Sequence, residues 1–137
     1  MGQQQLLLLV MGIIVASIAV VVGIVAFQEK MRQSVSETIV SRNLEIASSA
    51  VFWKTKMDPF NGGNASYAGL SENGMAKLFM ESDTYHARFE ISAATRTTLV
   101  VSGQSSKYPE IGARTYISQY SVDSTIVSFS SEITVED

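Results

Sequence analysis

An uncharged apolar run near the N-terminus constrains this chain more than any other feature of its sequence. From Leu6 to Phe27 no side chain is charged, and Ser17 is the one polar side chain. As a helix, a run of this length extends about 33 Å, which matches a bilayer's hydrocarbon core. A cleaved secretory signal fits poorly, because no Lys or Arg precedes the run and signals use only roughly 7–15 apolar residues. The run therefore predicts a helix that spans a membrane or forms the core of an assembly.

Small residues recur along one side of this predicted helix. Gly12, Ala16, Ala19 and Gly23 follow one another at steps of four, three and four. This spacing places them on a single face, where a second helix can approach closely. The alternative is the ordinary small-residue content of a membrane helix. Together with the polar N-terminus and one large apolar position, the candidate helix-packing residues are Gln3, Gln4, Gln5, Leu9, Gly12, Ala16, Ala19 and Gly23.

The predicted helix continues past the apolar run as an amphipathic segment. No Pro or Gly lies between Gly23 and Pro59, so we expect one helix from about Gln3 to about Trp53. Its second half carries an apolar stripe at helical steps, formed by Val35, Ile39, Val40, Leu44, Ala47 and Val51. The turn residues around Asp58-Pro59 and Asn61-Gly62 mark its end. The chain thus divides into a long helix over residues 1–53, with its hydrophobic part at 6–27, and a small β-rich head over residues 54–137.

The head is predicted to contain a short helix followed by strands. Ser71-Glu72-Asn73 precedes a helix that ends near Glu81, with Met75, Leu78 and Phe79 on one side. Alternating apolar and polar residues then predict four strands, over 85–91, 97–102, 114–122 and 125–135, with a turn at Asp123-Ser124. Short connections favour an antiparallel meander with one face on the amphipathic half of the helix. We therefore predict an α+β fold, a long N-terminal helix packed on a small four-stranded antiparallel sheet.

Composition argues against several kinds of functional site. The chain has no cysteine, which excludes disulfides, thiolate metal sites and cysteine nucleophiles. Its net charge is −3 with both signs interspersed, so we expect no binding to nucleic acid. His86, the single histidine, falls on the polar face of a predicted strand and is interpreted as a surface residue. We expect no catalytic, cofactor or metal site, and hence no enzymatic activity.

One short motif suggests a modification site in the loop after the long helix. Asn64-Ala65-Ser66 matches the acceptor pattern for asparagine-linked glycosylation and lies in a Gly- and Asn-rich segment. Asn64 is therefore a possible glycosylation site. The pattern is short enough to occur by chance, which is the alternative explanation.

The order of these features resembles the type IV pilin family over the whole chain. Members begin with a short polar stretch that ends in glycine, where a prepilin peptidase cuts, and continue as an almost uncharged helix. They typically carry a glutamate at the fifth mature position. If Gly2 is the cleavage glycine, the mature chain starts at Gln3; if Met1 is retained, Gln5 takes the glutamate's place. In either case glutamine can form hydrogen bonds to a neighbour's N-terminus but cannot form an ion pair with it.

The resemblance implies a structural subunit that polymerises through its hydrophobic helix into an extracellular, pilus-like helical filament. Its partners would be other copies of itself, the inner membrane before assembly, and the pilus assembly machinery. The product would lie at the cell surface after a membrane-inserted precursor stage.

Two other functions remain open from the residues. One is a single-span, membrane-anchored protein whose small β domain binds a partner, and the other is an N-terminally anchored enzyme. Lys30 and Arg32 follow the span and no basic residue precedes it, so the positive-inside rule predicts a cytoplasmic head. A pilin-like filament needs the opposite orientation.

Overall fold

A long helix followed by an antiparallel sheet makes up the computed structural model, which describes residues 2–57 and 62–135. Helix α1 spans Gly2–Thr55, so the prediction of a single long helix is confirmed. The chain forms two compact units, Met1–Ser34 and Val35–Asp137. The predicted break at Asp58-Pro59 and Asn61 and the state of Met1 lie outside the described residues.

The second unit contains the last part of α1 and every strand described. After a short 3₁₀ turn at Ala68–Ser71, the elements are α2 (Gly74–Lys77), β1 (Ala87–Ala94), β2 (Thr98–Ser105), β3 (Gly112–Ser118) and β4 (Ser121–Ser128). The four strands pair antiparallel in the order β1-β2-β3-β4. The predicted α+β fold with a four-stranded meander is therefore confirmed.

The last hairpin lies earlier in the chain than the prediction placed it. β4 begins at Ser121 and includes Asp123, and the connecting residues are Gln119 and Tyr120. Gln119 adopts a left-handed conformation with φ 57°, and its N–H donates to the carbonyl of Thr97 at 2.8 Å. The prediction of a turn at Asp123-Ser124 was wrong because contacts to distant residues decide the turn position here, and local turn propensity does not.

The short helix also differs from its prediction. α2 ends at Lys77 instead of near Glu81, and the N-cap Asn73 makes no side-chain capping hydrogen bond. Met75 is buried as expected, but Phe79 adopts φ 58° and is 92% exposed. Phe79 was therefore wrongly placed on the packed side. A left-handed residue just after the helix turns its side chain away from the face that α2 presents to the core.

The first strand starts two residues later than the alternation indicated. Tyr85 is 92% exposed and precedes β1, which begins at Ala87. Ala87 and Phe89 are buried, as the alternating pattern predicted. The strand also runs on to Ala94 through an irregularity between Ile91 and Ala93.

The core of the head lies between residues 35–55 of α1 and one face of the sheet. Ile39 and Trp53 of α1 are buried in one apolar cluster with Leu99 and Val101 of β2. The contact is close, because a Cβ added at Gly103 would lie only 2.8 Å from Ile39 Cγ2. The sheet therefore needs a glycine where the helix side chain lies against it.

The buried stripe of α1 is shifted from the predicted one. Leu44, predicted to be buried, is 40% exposed, whereas Ile46 and Ala50 are fully buried. The polar residue Asn43 is also buried and donates from Nδ2 to the carbonyl of Ala113 at 3.1 Å. Hydrophobicity alone excluded Asn43 from the stripe, and without it the centre of the packed face was misplaced.

Replacing Ile46 by Ala should destabilise the head by about 2–5 kcal/mol, because it leaves a cavity in a fully buried site. Leu44→Ala removes a side chain of similar size from an exposed position two residues away. It should lower the free energy of unfolding far less. Urea unfolding of the full chain in detergent checks this, with emission from Trp53, the chain's one tryptophan, as the probe. Equal losses for the two variants would contradict the assignment of the packed face.

Candidate assembly surface

The apolar run of α1 presents an uninterrupted hydrophobic surface. Its large apolar side chains are between 45% exposed, at Val10, and 72% exposed, at Leu8. Ser17, its one polar side chain, donates from Oγ to the carbonyl of Ile13 at 2.8 Å, so the helix itself satisfies it. Among the described residues, one helix is long and apolar enough to cross a membrane. Leaving each such side chain in water costs about 1.5–3 kcal/mol, so this surface requires lipid or apolar protein around it.

The predicted packing residues form a face of this surface. At about 100° per residue, Gly12, Ala16, Ala19 and Gly23 lie within about 60° of one another around the helix axis. All four are exposed, and a Cβ added at either glycine would meet nothing within 4 Å. The backbone is therefore open to a close approach along this face, called the small-residue face below.

The other predicted packing residues lie at different angles around the helix axis. The same arithmetic places Gln5 in line with the small-residue face and Leu9 at its border. Gln4 lies about a quarter turn away, and Gln3 lies on the opposite side. All four are exposed, and the first turn of α1 contains no acidic residue. Only Gln5 of the three glutamines can thus share a contact made along the small-residue face.

The loop that carries the possible glycosylation site closes the C-terminal end of α1. Gly63, Asn64 and Ala65 donate their N–H groups to the carbonyls of Trp53, Lys56 and Lys54 at 2.9, 3.0 and 2.9 Å. Trp53 and Lys54 lie in the last turn of α1, where carbonyls lack partners within the helix, and Lys56 follows its end. Asn64 is exposed with φ 53°, as the prediction of an exposed loop required. Its modification stays a prediction.

A buried lysine joins the end of α1 to the β3–β4 turn. Lys54 is 2% exposed, and its Nζ lies 4.4 Å from the ring centroid of Tyr67 and 4.7 Å from that of Tyr120. The same Nζ donates to the carbonyl of Gln119 at 3.5 Å, and the Tyr67 hydroxyl donates to that carbonyl too. Two aromatic faces and one carbonyl thus take the place of water around the ammonium.

We call this group of Lys54, Tyr67, Gln119 and Tyr120 the lysine clamp. The sequence did not predict it, because its members are far apart in the chain. Burial, and secondly the charge of Tyr120, raise the pKa of the Tyr67 phenol above its ordinary value. A raised pKa keeps the phenol protonated and able to donate its hydrogen bond. The geometry supports a structural role that fixes the position of the turn.

A shallow depression of about 410 Å³ lies beside the end of α1. Its lining residues are Ser48, Ser49, Phe52, Trp53, Lys56, Lys77, Leu78 and Phe79. The lysines are engaged locally: Lys56 Nζ lies 5.0 Å from the Phe52 ring centroid, and Lys77 Nζ donates to the Gly69 carbonyl. The lining holds no carboxylate or imidazole that could act as a general acid or base.

Titratable and metal-binding side chains are dispersed over the part of the chain that the structure describes. Within those residues, no group of three or more His, Cys, Asp or Glu side chains could hold a metal ion. His86 is exposed, as predicted, and its ring contacts that of Tyr85 edge-on at 5.1 Å between centroids.

Comparison with known proteins adds no relative to this picture. No protein-family model matches the chain, and no curated protein or solved structure shows significant similarity to it.

The raised pKa of Tyr67 predicts a loss of stability in alkali. Because the unfolded chain ionises first, near the ordinary tyrosine pKa of about 10, the head should keep its stability below that pH and lose it above. Tyr67→Phe should weaken the head near neutral pH by about 0.5–1.5 kcal/mol through the lost hydrogen bond, and should flatten the alkaline decline. The urea midpoint at pH 8 and pH 11 measures both effects. Tyr85→Phe, at an exposed site, is the control; an alkaline decline as steep in Tyr67→Phe as in the control would contradict the assignment.

Proposed function

We propose that this chain is a structural subunit that polymerises through residues 6–27 of α1 into a pilus-like helical filament at the cell surface. The observation that carries the proposal is the uncharged surface of α1, exposed all round, together with its small-residue face. The proposed partners are other copies of the chain, the inner membrane before assembly and a pilus assembly machinery. We propose no enzymatic activity, cofactor or nucleic-acid ligand.

The energetics of the apolar run favour transfer from a membrane to a helix bundle. A bilayer and a bundle of identical helices both shield the side chains from water, so the transfer exchanges one apolar environment for another. The gain then comes from denser van der Waals packing, to which the open backbone at Gly12 and Gly23 contributes. A head-to-tail contact that does not close into a ring generates an open helical filament.

The N-terminal glutamines supply a neutral way to satisfy a buried helix end. The first four N–H groups of a helix have no partner within it, and a bundle removes them from water. Gln5 lies in line with the small-residue face, so its amide oxygen can accept from a neighbour's N-terminal N–H group. No carboxylate is needed for this bond, which makes the contact independent of the ionisation state of an acid.

Export of the head is a requirement of this proposal. Lys30 and Arg32 follow the apolar run and favour a cytoplasmic head by the positive-inside rule. A dedicated machinery that extracts the subunit toward the outside would overcome this preference. The same two charges favour the second candidate function, a single-span anchored protein whose head binds a partner without forming fibres.

Gly12→Leu and Ala16→Leu should each abolish or sharply reduce filament formation while the head stays folded. A leucine on the small-residue face separates two helices that would otherwise touch along their backbones. Val21→Leu is the matched control, because it enlarges a side chain on the opposite side of the same helix. Electron microscopy counts the fibres, and the emission of Trp53 reports the fold of the head.

Leu9→Asp should be more severe, since it places an unpaired charge in either the membrane or the bundle. Normal fibres from Gly12→Leu and Ala16→Leu, or an equal loss in Val21→Leu, would show that the small-residue face does not mediate assembly. Absence of fibres from the unaltered chain, with the chain retained in membranes, would favour the anchored protein.

A further inference from the structure

The two edge strands of the sheet, β1 and β4, differ in whether another segment of the head forms backbone hydrogen bonds with their outer side. Along β1, the Phe89 N–H donates to the Ser82 carbonyl at 2.6 Å, and the Ala87 carbonyl accepts from Thr84 at 2.9 Å. The segment before β1 thus forms hydrogen bonds with the first half of its outer edge. Among the described residues, no backbone hydrogen bond covers the corresponding edge of β4.

The backbone groups that lie along this open edge can be identified. The bonds Ser105 N–H to Ile111 and Gln119 N–H to Thr97 show that odd-numbered residues around β3 bond toward β2. Because alternate residues bond to opposite sides, even-numbered residues of β3 bond to β4. Even-numbered residues of β4 are their partners, as in the pairs Arg114–Ile126 and Tyr116–Ser124. The N–H and C=O groups of Thr125 and Val127 therefore point away from the sheet.

Apolar side chains accompany these open backbone groups. Val127 pairs with the buried Ala113 and lies on the core face, yet it is 37% exposed. Val122 beside the buried Ile117 is 42% exposed, and Ile126 on the outer face is 51% exposed. The apolar row of the core thus continues onto an edge that nothing described covers.

Apart from a register shift against β3 at Asp123, β4 has few of the features that protect edge strands. Between Ser121 and Ser128 the chain has no Lys, Arg or Pro, and its one charged residue is Asp123. Natural edge strands are usually kept single by lysines, prolines or a covering segment, as β1 is. An open edge with apolar neighbours is suited to one kind of ligand, another β-strand.

We propose that β4 pairs antiparallel with β4 of a second copy, so that two heads share an eight-stranded sheet. The first half of the β1 edge is already bonded and the rest is irregular, which leaves β4 as the edge that both copies offer. Pairing centred on Thr125 places Asp123 opposite Val127 of the second copy, so the two acids do not face each other. Thr125 and Val127 then gain backbone hydrogen bonds to the second copy.

This contact goes beyond polymerisation of the helices. A two-fold contact uses the same surface on both copies, and it cannot relate successive subunits of a polar filament. In filaments it joins heads of neighbouring fibres side by side, and in a membrane it joins two unassembled subunits. The pairing of heads therefore holds whether or not the helices polymerise.

Cysteine cross-linking of the full chain in detergent micelles tests the contact directly, because the chain has no native cysteine. In an antiparallel hydrogen-bonded pair the Cα atoms lie about 5.5 Å apart, within the range a disulfide bridges. Thr125→Cys should form a covalent dimer under mild oxidation. Thr97→Cys, an exposed threonine in the β1–β2 connection, is the matched control and should stay largely monomeric.

Adding Val127→Asp to Thr125→Cys should lower the dimer yield about tenfold, since it places a carboxylate directly opposite Asp123 of the second copy at both ends of the paired edge. Emission from Trp53 verifies that the head of each variant is folded. Equal cross-linking of Thr125→Cys and Thr97→Cys, or no effect of Val127→Asp, would overturn the proposal. Cross-linked heads in a Gly12→Leu background that forms no fibres would separate this contact from helix assembly.

Discussion

The exclusion of water from residues 6–27 is the constraint on which the rest of the molecule depends. A helix whose apolar side chains are exposed on every side is stable only in lipid or among other apolar helices. Its internal hydrogen bonds satisfy the backbone, and Ser17 is satisfied by the helix as well. Because the run has no polar side to turn toward water, any function of this chain must supply it with an apolar environment.

The head uses the last part of the same helix in a different way. Residues 35–55 place one stripe of side chains against the sheet, with Gly103 allowing the close approach of Ile39. The helix end is then held by the N–H groups of Gly63 and Ala65 and by the lysine clamp around Lys54. The loop hydrogen bonds and the lysine clamp are polar contacts that require particular partners. They therefore fix how the helix end sits in the head, which an apolar stripe alone would not specify.

Local patterns in the sequence predicted the elements better than their boundaries and packing. The long helix, the four strands and the meander follow from hydrophobic periodicity and from the absence of Pro and Gly between Gly23 and Pro59. The position of the last turn could not be predicted from local patterns, because it depends on hydrogen bonds between Gln119 and residues distant in sequence. The buried Asn43 and Lys54 were missed for a related reason. Their partners, a strand carbonyl and two tyrosine rings, become neighbours only in the folded head.

The two candidate surfaces also differ in whether the sequence alone could predict them. The small-residue face could be read from spacing alone, since helical geometry is fixed once the helix is assigned. The open edge of β4 could not, because it depends on strand order and on the segment that covers β1. Alternation predicted apolar residues in this strand but did not indicate which of them the fold would leave exposed.

The central claim is that the apolar run is the core of a polymer, and examination of cell-surface material tests it most directly. Material sheared from cells that produce this chain would be imaged by electron microscopy and analysed by mass spectrometry. The account predicts thin fibres that contain the chain with residues 6–27 intact. Recovery of the chain only from membranes, with no fibres and with the head on the cytoplasmic side, would contradict it.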